Sequence, residues 1–166
     1  MKFSSIDERP ARPAPGGYQL GVSGIATQIT LWNSKTVTAS FYLRLLATPS
    51  GRETLGERLN DPASKFLPCK IDERVELLNL SMISHIRVLG ELAEVELKEQ
   101  LGAMRQPARV TMKSGYTLVG DFLYIQPSAR SRLSDFLNYS NERFLLFLAP
   151  NAPMYLYRDA IVRVVS

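Results

Sequence analysis

The chain has little of what marks most enzymes and metal proteins. Among 166 residues there is one cysteine, Cys69, and one histidine, His85. A lone cysteine excludes an internal disulfide framework and a cysteine-only metal site, and it suits a reducing compartment. A lone histidine excludes a paired-imidazole metal site. No serine stands in a Gly-x-Ser-x-Gly elbow, and neither a Walker loop nor a Gly-x-Gly-x-x-Gly turn occurs. Long apolar runs are missing too. The greasiest stretch, residues 144–150, falls far short of the ~20 residues that cross a bilayer. Residues 1–5 lack the apolar centre of a signal peptide. These absences predict a soluble, cytoplasmic, non-catalytic chain with no cofactor and no membrane partner. Asp72, Glu73 and Asp135 read as solvated turn residues, His85 as a satisfied residue of an apolar strand, and Cys69, beside Phe66 and Leu67, as a small buried hydrophobe.

Basic tracts are also scarce. The balance of 20 Lys and Arg against 16 Asp and Glu leaves a charge of +4. That excess is spread thinly along the chain, with no arm of Lys and Arg that would mark a nucleic-acid binder. What is present is the composition of an ordinary globular protein: 45% hydrophobic and 22% charged residues. Residues 1–18 stand apart. Pro10, Pro13, Pro15, Gly16 and Gly17 with few apolar side chains predict a flexible lead-in.

The most informative feature is an internal repeat. At an offset of 78 in residue number, Pro49, Ser50 and Arg52 fall on Pro127, Ser128 and Arg130, and Leu55, Leu59 and Asn60 on Leu133, Leu137 and Asn138. The same offset places Phe66-Leu67 on Phe144-Leu145, Leu78 on Leu156, Ile83 on Ile161 and Ile86 on Val164. Ten of the forty positions from 49 to 88 are identical, without a gap and in one apolar phase, which implies duplication. Upstream, Ile29-Thr30-Leu31 matches Val110-Thr111-Met112 at an offset of 81, so the first copy carries three extra residues near 45–48.

Each copy reads as five short strands. Polar–apolar alternation gives strands at 28–32 and 36–46, and at 110–113 and 116–126. A polar loop and a helical turn follow, with Asn60 and Asn138 placed to close that turn in the left-handed conformation. Further strands are expected near 65–71, 76–80 and 83–88, and at 143–149, 154–157 and 161–164. Between the copies, Leu92, Val95, Leu97 and Leu101 among many charges predict a helix with a narrow apolar stripe, ended by Gly102 and Pro107. The expected organisation is a lead-in at 1–18, a first barrel at 19–89, a helical linker at 90–109 and a second barrel at 110–166. This is a mainly β chain of two tandem five-stranded barrels joined by a short helix.

In the second copy, Val110-Thr111-Met112-Lys113-Ser114-Gly115 followed by Gly120-Asp121-Phe122-Leu123 resembles the first motif of Sm-like proteins. There a glycine lets a long strand bend around the corner of an SH3-like barrel. Tyr155-Leu156-Tyr157-Arg158-Asp159-Ala160-Ile161 is similar to the second Sm motif. Residues 132–138 and 143–145 also resemble a bacterial family of unknown function built on the same unit. The resemblance implies units that associate edge to edge, as a homo-oligomer or with a protein partner. It also brings RNA into view, because Sm proteins grip RNA through an Asp and an Asn near the first motif and a basic residue in the second. Asp135 and Asn138 match by type but stand apart from Gly120, and Asp159 occupies the position of the second-motif glycine.

The candidate residues follow from repeat and resemblance together. Arg52 and Arg130 lie on equivalent loops, and with Arg132 they are of the right type to hold a phosphate or a carboxylate. Asn60, Asn138, Tyr157 and Arg158, with Tyr139 and Tyr155 beside them, complete the set for ligand or RNA binding. Trp32, Ile83, Ile86, Ile161 and Val164 are the candidate interface residues. The leading expectation is a binding or assembly module. An RNA-binding protein and a small-ligand-binding regulator are the alternatives.

Overall fold

The computed structural model describes residues 24–44, 51–127, 129 and 131–166. The lead-in at 1–18, the three extra residues near 45–48 and Arg130 lie outside them. Alternating side chains build β1 (Gly24–Leu31) and β2 (Thr36–Tyr42), with Thr27, Ile29, Ala39 and Phe41 turned inward. Then come α1 (Leu55–Asn60), β3 (Phe66–Ile71), β4 (Arg74–Asn79), β5 (Ile83–Val88), α2 (Ala93–Gln100), β6 (Met104–Met112), β7 (Thr117–Tyr124), α3 (Leu133–Tyr139), β8 (Phe144–Ala149), β9 (Ala152–Tyr157) and β10 (Ile161–Val165). Every element from α1 to β5 recurs at the offset of 78, and β1 and β2 recur at the offset of 81. The duplication read from the sequence is built into the fold.

All ten strands belong to one antiparallel sheet, ordered β10-β6-β7-β8-β9-β5-β1-β2-β3-β4. Within each half the order is the same: the fifth strand pairs the first, and the fourth lies at the far side. The halves join where β5 pairs β9. The ladder does not return on itself, since β10 and β4 are its two ends. The expectation of a mainly β chain with five strands in each copy is met, but the ten strands form one open sheet and not two tandem closed barrels.

Two apolar clusters fill the interior. One gathers Ile29, Phe41, Leu55, Leu59, Leu67, Ile83 and Ile86 from the first half, and it also takes Phe144, Leu146 and Tyr155 from the second. The other gathers Val110, Phe122, Tyr124, Phe136, Leu145, Phe147, Met154 and Leu156. Successive residues of β8 and β9 therefore alternate between the two clusters, as the two-residue period of a strand requires. This explains why β8 reads as an unbroken apolar run: both of its faces are covered.

Local details correct several expectations. Asn60 ends α1, yet positive φ among the described non-glycine residues occurs at Ser34, Asp72 and Glu73, so neither Asn60 nor Asn138 closes its turn through a left-handed backbone. A Thr54–Glu57 capping box holds the short α1 instead: Glu57 N donates to Thr54 Oγ1 at 3.1 Å, and Thr54 N donates to Glu57 Oε2 at 2.8 Å. Pro107 does not end a linker but lies inside β6. It is tolerated because β10 accompanies β6 only as far as Arg109, leaving an unpaired flank. Along α2 and its caps, Leu92 and Val95 pack inward while Leu97 and Leu101 are exposed, so the expected four-residue stripe is half as long. Gly120 behaves as the strand bend requires. A side chain there would run into the Leu148 carbonyl and the Phe147 ring.

Candidate functional site: the internal seam and the two open edges

The seam between the halves starts as a short backbone ladder, with His85 opposite Leu156, Ile86 opposite Tyr155 and Arg87 opposite Met154. Side chains then fasten it from above. Asn60, at the end of α1, faces the beginning of β8. Its Nδ2 donates to Phe144 O at 3.1 Å, and its Oδ1 accepts from Arg143 N at 2.9 Å and Phe144 N at 2.8 Å. One amide thus satisfies three backbone groups that the sheet leaves open. The Arg143 guanidinium completes the latch, donating to Leu59 O at 2.8 Å, to Asp61 O at 2.7 Å and to Ser64 O. Five donors in a planar fork suit such convergence on several carbonyls.

A buried polar group ties α2 to the same place. The Glu94 carboxylate accepts from Gly56 N at 2.9 Å and from the Tyr155 hydroxyl. Burial pushes the Glu94 carboxyl above its ordinary range, against the opposing pull of those two donors. Burial beside that carboxylate likewise raises the Tyr155 phenol well above its usual range. A cavity of about 300 Å³ opens beside them, lined in part by Leu97, Lys98 and Glu142, the last two an ion pair at 3.4 Å.

At the seam's other side, the hairpin turns of the two halves meet. Ser34 Oγ donates to Ser114 O at 2.5 Å, and Ser114 Oγ lies 2.8 Å from Ser84 Oγ. Next to Ser84, His85 is buried with Nδ1 3.1 Å from the Ser84 hydroxyl and its ring edge-on to Tyr116. Burial, with Arg87 nearby, lowers the imidazole to about 4.

The repeat equivalents of the seam strands are the open ends of the sheet. Position for position, β10 is the copy of β5 and β4 is the copy of β9. Tyr155 is 2% exposed in the seam, whereas its counterpart Leu77 is 70% exposed on β4. Val75 on β4, and Val162 and Val165 on β10, are exposed as well. Strand edges that show apolar side chains are templates for further pairing.

The interface residues predicted from sequence divide along these lines. Ile83 and Ile86 are buried in the first cluster on the seam strand, while Ile161 and Val164 are half-buried on the open strand β10. Trp32 is 61% exposed in the β1–β2 turn. Of the ligand candidates, Arg52 and Arg132 are exposed, and Arg132 precedes α3 without a side-chain cap. The Arg158 guanidinium donates to Ser140 O. The Tyr157 ring packs on Phe144 at a centroid distance of 5.1 Å. Tyr155 is buried and Tyr139 exposed. Asn138 lies on the surface of α3, its Nδ2 donating to Ser134 O at 2.8 Å within its own helix. Cys69 is buried as expected, and burial lifts its thiol to about 11.

Sequence reading missed Glu94 and Arg143, the two charged residues that hold the seam. Among the described residues no group of three or more His, Cys, Asp or Glu is placed to hold a metal ion, and no helix is long and apolar enough to cross a membrane. Comparison of the chain with protein-family models, with curated proteins and with solved structures finds no match.

Proposed function

We propose that the chain is a non-catalytic assembly module of the Sm-like kind, in which copies of the protein join through their open strand edges. One observation carries this reading. The chain already makes a β5–β9 junction internally, and the two strands equivalent to that pair, β10 and β4, each pair on one side only, with no described strand along their outer side. Each half is then one Sm-like unit, and the chain is a prepaired dimer of units. Copies added head to tail bury Leu77, Val75, Val162 and Val165, the apolar side chains that the open edges expose.

The RNA alternative draws less support. Of its candidate residues, Arg158 is engaged with a backbone carbonyl and Tyr155 is inside the seam. Light scattering on the purified full-length chain at micromolar concentration tests the assembly reading. The expected result is a mass two or more whole times that of the single chain. Leu77→Lys, which places a charge on the β4 edge, is expected to reduce that mass to one chain while leaving the circular dichroism unchanged. A wild-type protein that stays a monomer throughout overturns the reading.

A further inference from the structure

The seam inside the chain uses more than strand pairing, and the parts of its latch have twins elsewhere in the repeat. The offset of 78 carries Asn60 to Asn138 on α3, and it carries the Arg143-Phe144 pair back to Lys65-Phe66 at the start of β3. We propose that Asn138 of one copy closes on the Lys65–Phe66 backbone of the next copy, fixing the register in which β10 pairs β4. This rests on the assembly reading above and adds to it a specific recognition element. The occupant of the β3–β4 surface is a second copy of this chain.

Three sets of observations support the match. First, the acceptor site is preformed. The β3–β4 ladder begins with Phe66 opposite Asn79, just as β8–β9 begins with Phe144 opposite Tyr157. Leu80 N donates to Lys65 O at 3.0 Å, the counterpart of Arg158 N donating to Arg143 O at 2.8 Å. The backbone that receives Asn60 in the seam is therefore repeated at Lys65–Phe66.

Second, the surface there is incomplete. Phe144 is 0% exposed under the latch, while Phe66 is 53% exposed without one. Asn60 spans two segments of the chain, but Asn138 folds back on Ser134 of its own helix. An exposed intrahelical bond of that kind is readily exchanged for a set of three to a neighbour's backbone.

Third, polarity is consistent. In the seam, the half that supplies the fifth strand also supplies the helix, and the half that supplies the fourth strand supplies the receiving backbone. At an edge-to-edge contact between copies, β10 and α3 belong to one copy and β4 and β3 to the next. The seam's register then transfers position by position: Arg163 opposite Leu78, Val164 opposite Leu77 and Val165 opposite Glu76. Lys65 in place of Arg143 brings an ammonium rather than a fork, so the contact between copies is looser than the one inside the chain.

Two measurements on the full-length chain test this. In a Cys69→Ala background, Val164→Cys protein is mixed with Leu77→Cys protein and mildly oxidised, beside a control mixture of Val164→Cys with Val75→Cys. The expected result is a cross-linked dimer from the first mixture at several times the yield of the control. In parallel, Asn138→Ala is expected to weaken assembly by tenfold or more in sedimentation, with the melting temperature of the dilute chain unchanged. Asn138→Asp, which keeps an acceptor but loses the donor, is expected to fall between. Equal cross-linking in both registers, or an Asn138→Ala protein that assembles like wild type, overturns the latch while leaving edge pairing intact. A wild-type chain that is monomeric in the same runs overturns both.

Discussion

β8–β9 and β3–β4 occupy the same place in the repeat and the same place in their local ladders, yet one hairpin is interior and the other is a margin. In β8 and β9 consecutive residues feed two apolar clusters, so Phe144, Leu145, Leu146 and Phe147 are all buried. In β3, Leu67 and Cys69 point inward and Phe66 does not, and no residue of β4 is buried. What differs is the neighbour. The second-half hairpin is flanked by β5 and covered by α1, whereas no described strand flanks the outer side of β4. Equivalent sequence positions have thus been filled for different surroundings: Tyr155 where β4 has Leu77, Met154 where it has Glu76. Leucine at 77 is the telling choice, because a strand meant to stay in solvent is usually protected by charge or proline at such a point.

Substitution at twin positions breaks the comparison most sharply. Phe144→Ala opens a cavity in a closed cluster and is expected to cost about 3–5 kcal/mol in urea unfolding. Phe66→Ala is expected to cost the isolated chain little and to weaken assembly instead. Equal losses of folding stability for the two would contradict the assignment of interior and margin.

A second test targets the carboxylate that ties α2 to the seam and has no counterpart on β4. Glu94→Ala leaves the Tyr155 hydroxyl and Gly56 N without their acceptor, at an expected cost of about 1–3 kcal/mol. Glu94→Gln keeps an oxygen acceptor and removes the buried charge, so it is expected to cost less. Because the folded carboxyl titrates above its ordinary value, the wild type binds a proton that the unfolded chain has released, and its stability falls as pH rises through that window. The wild type's advantage over Glu94→Gln is therefore expected to shrink over the same range. Were Gln and Ala equally damaging at every pH, the charge rather than the acceptor would be what holds the helix.

A third effect, of similar size, concerns the seam's histidine. In the folded chain His85 titrates near 4, while its ordinary value is 6.5. Between those values the unfolded chain binds the proton and the folded chain does not, so stability falls as pH drops through this window. The expected loss is about 1–3 kcal/mol, and it is absent in His85→Gln. The counterpart on β10 is the exposed Arg163, so edge pairing should show no matching dependence over that range. A His85→Gln protein that loses stability as steeply as wild type between pH 6.5 and 4 would contradict this account of the ring.

Much of this comparison can be read in the sequence, for physical reasons. The duplication is legible because it preserves apolar phase at Leu55, Leu59, Phe66, Leu67, Leu78 and Ile83, residues that all lie in or against one cluster except the outward Phe66. The double-sided burial of β8 is visible as Phe-Leu-Leu-Phe-Leu-Ala, against the one-sided alternation of Phe-Leu-Pro-Cys-Lys-Ile in β3. Glu94 is not legible. It sits among Glu91, Glu96 and Glu99, and nothing in composition or spacing tells which of four carboxylates turns inward. Arg143 is hidden for a similar reason, since its acceptors are backbone carbonyls that carry no side-chain signal. Asn60 stands out in sequence as a pair with Asn138, but for a backbone role; its importance lies in the side chain. Pro107 misleads because a proline flanked by an unpaired strand margin looks, in sequence, like a helix stop.

Amide hydrogen exchange across a concentration series tests the central claim most directly. If copies join through their open edges, residues 74–79 and 161–165 gain protection together as the protein is concentrated, while β5 and β9 are protected at every concentration. Edges that exchange as freely at high concentration as at low would contradict it.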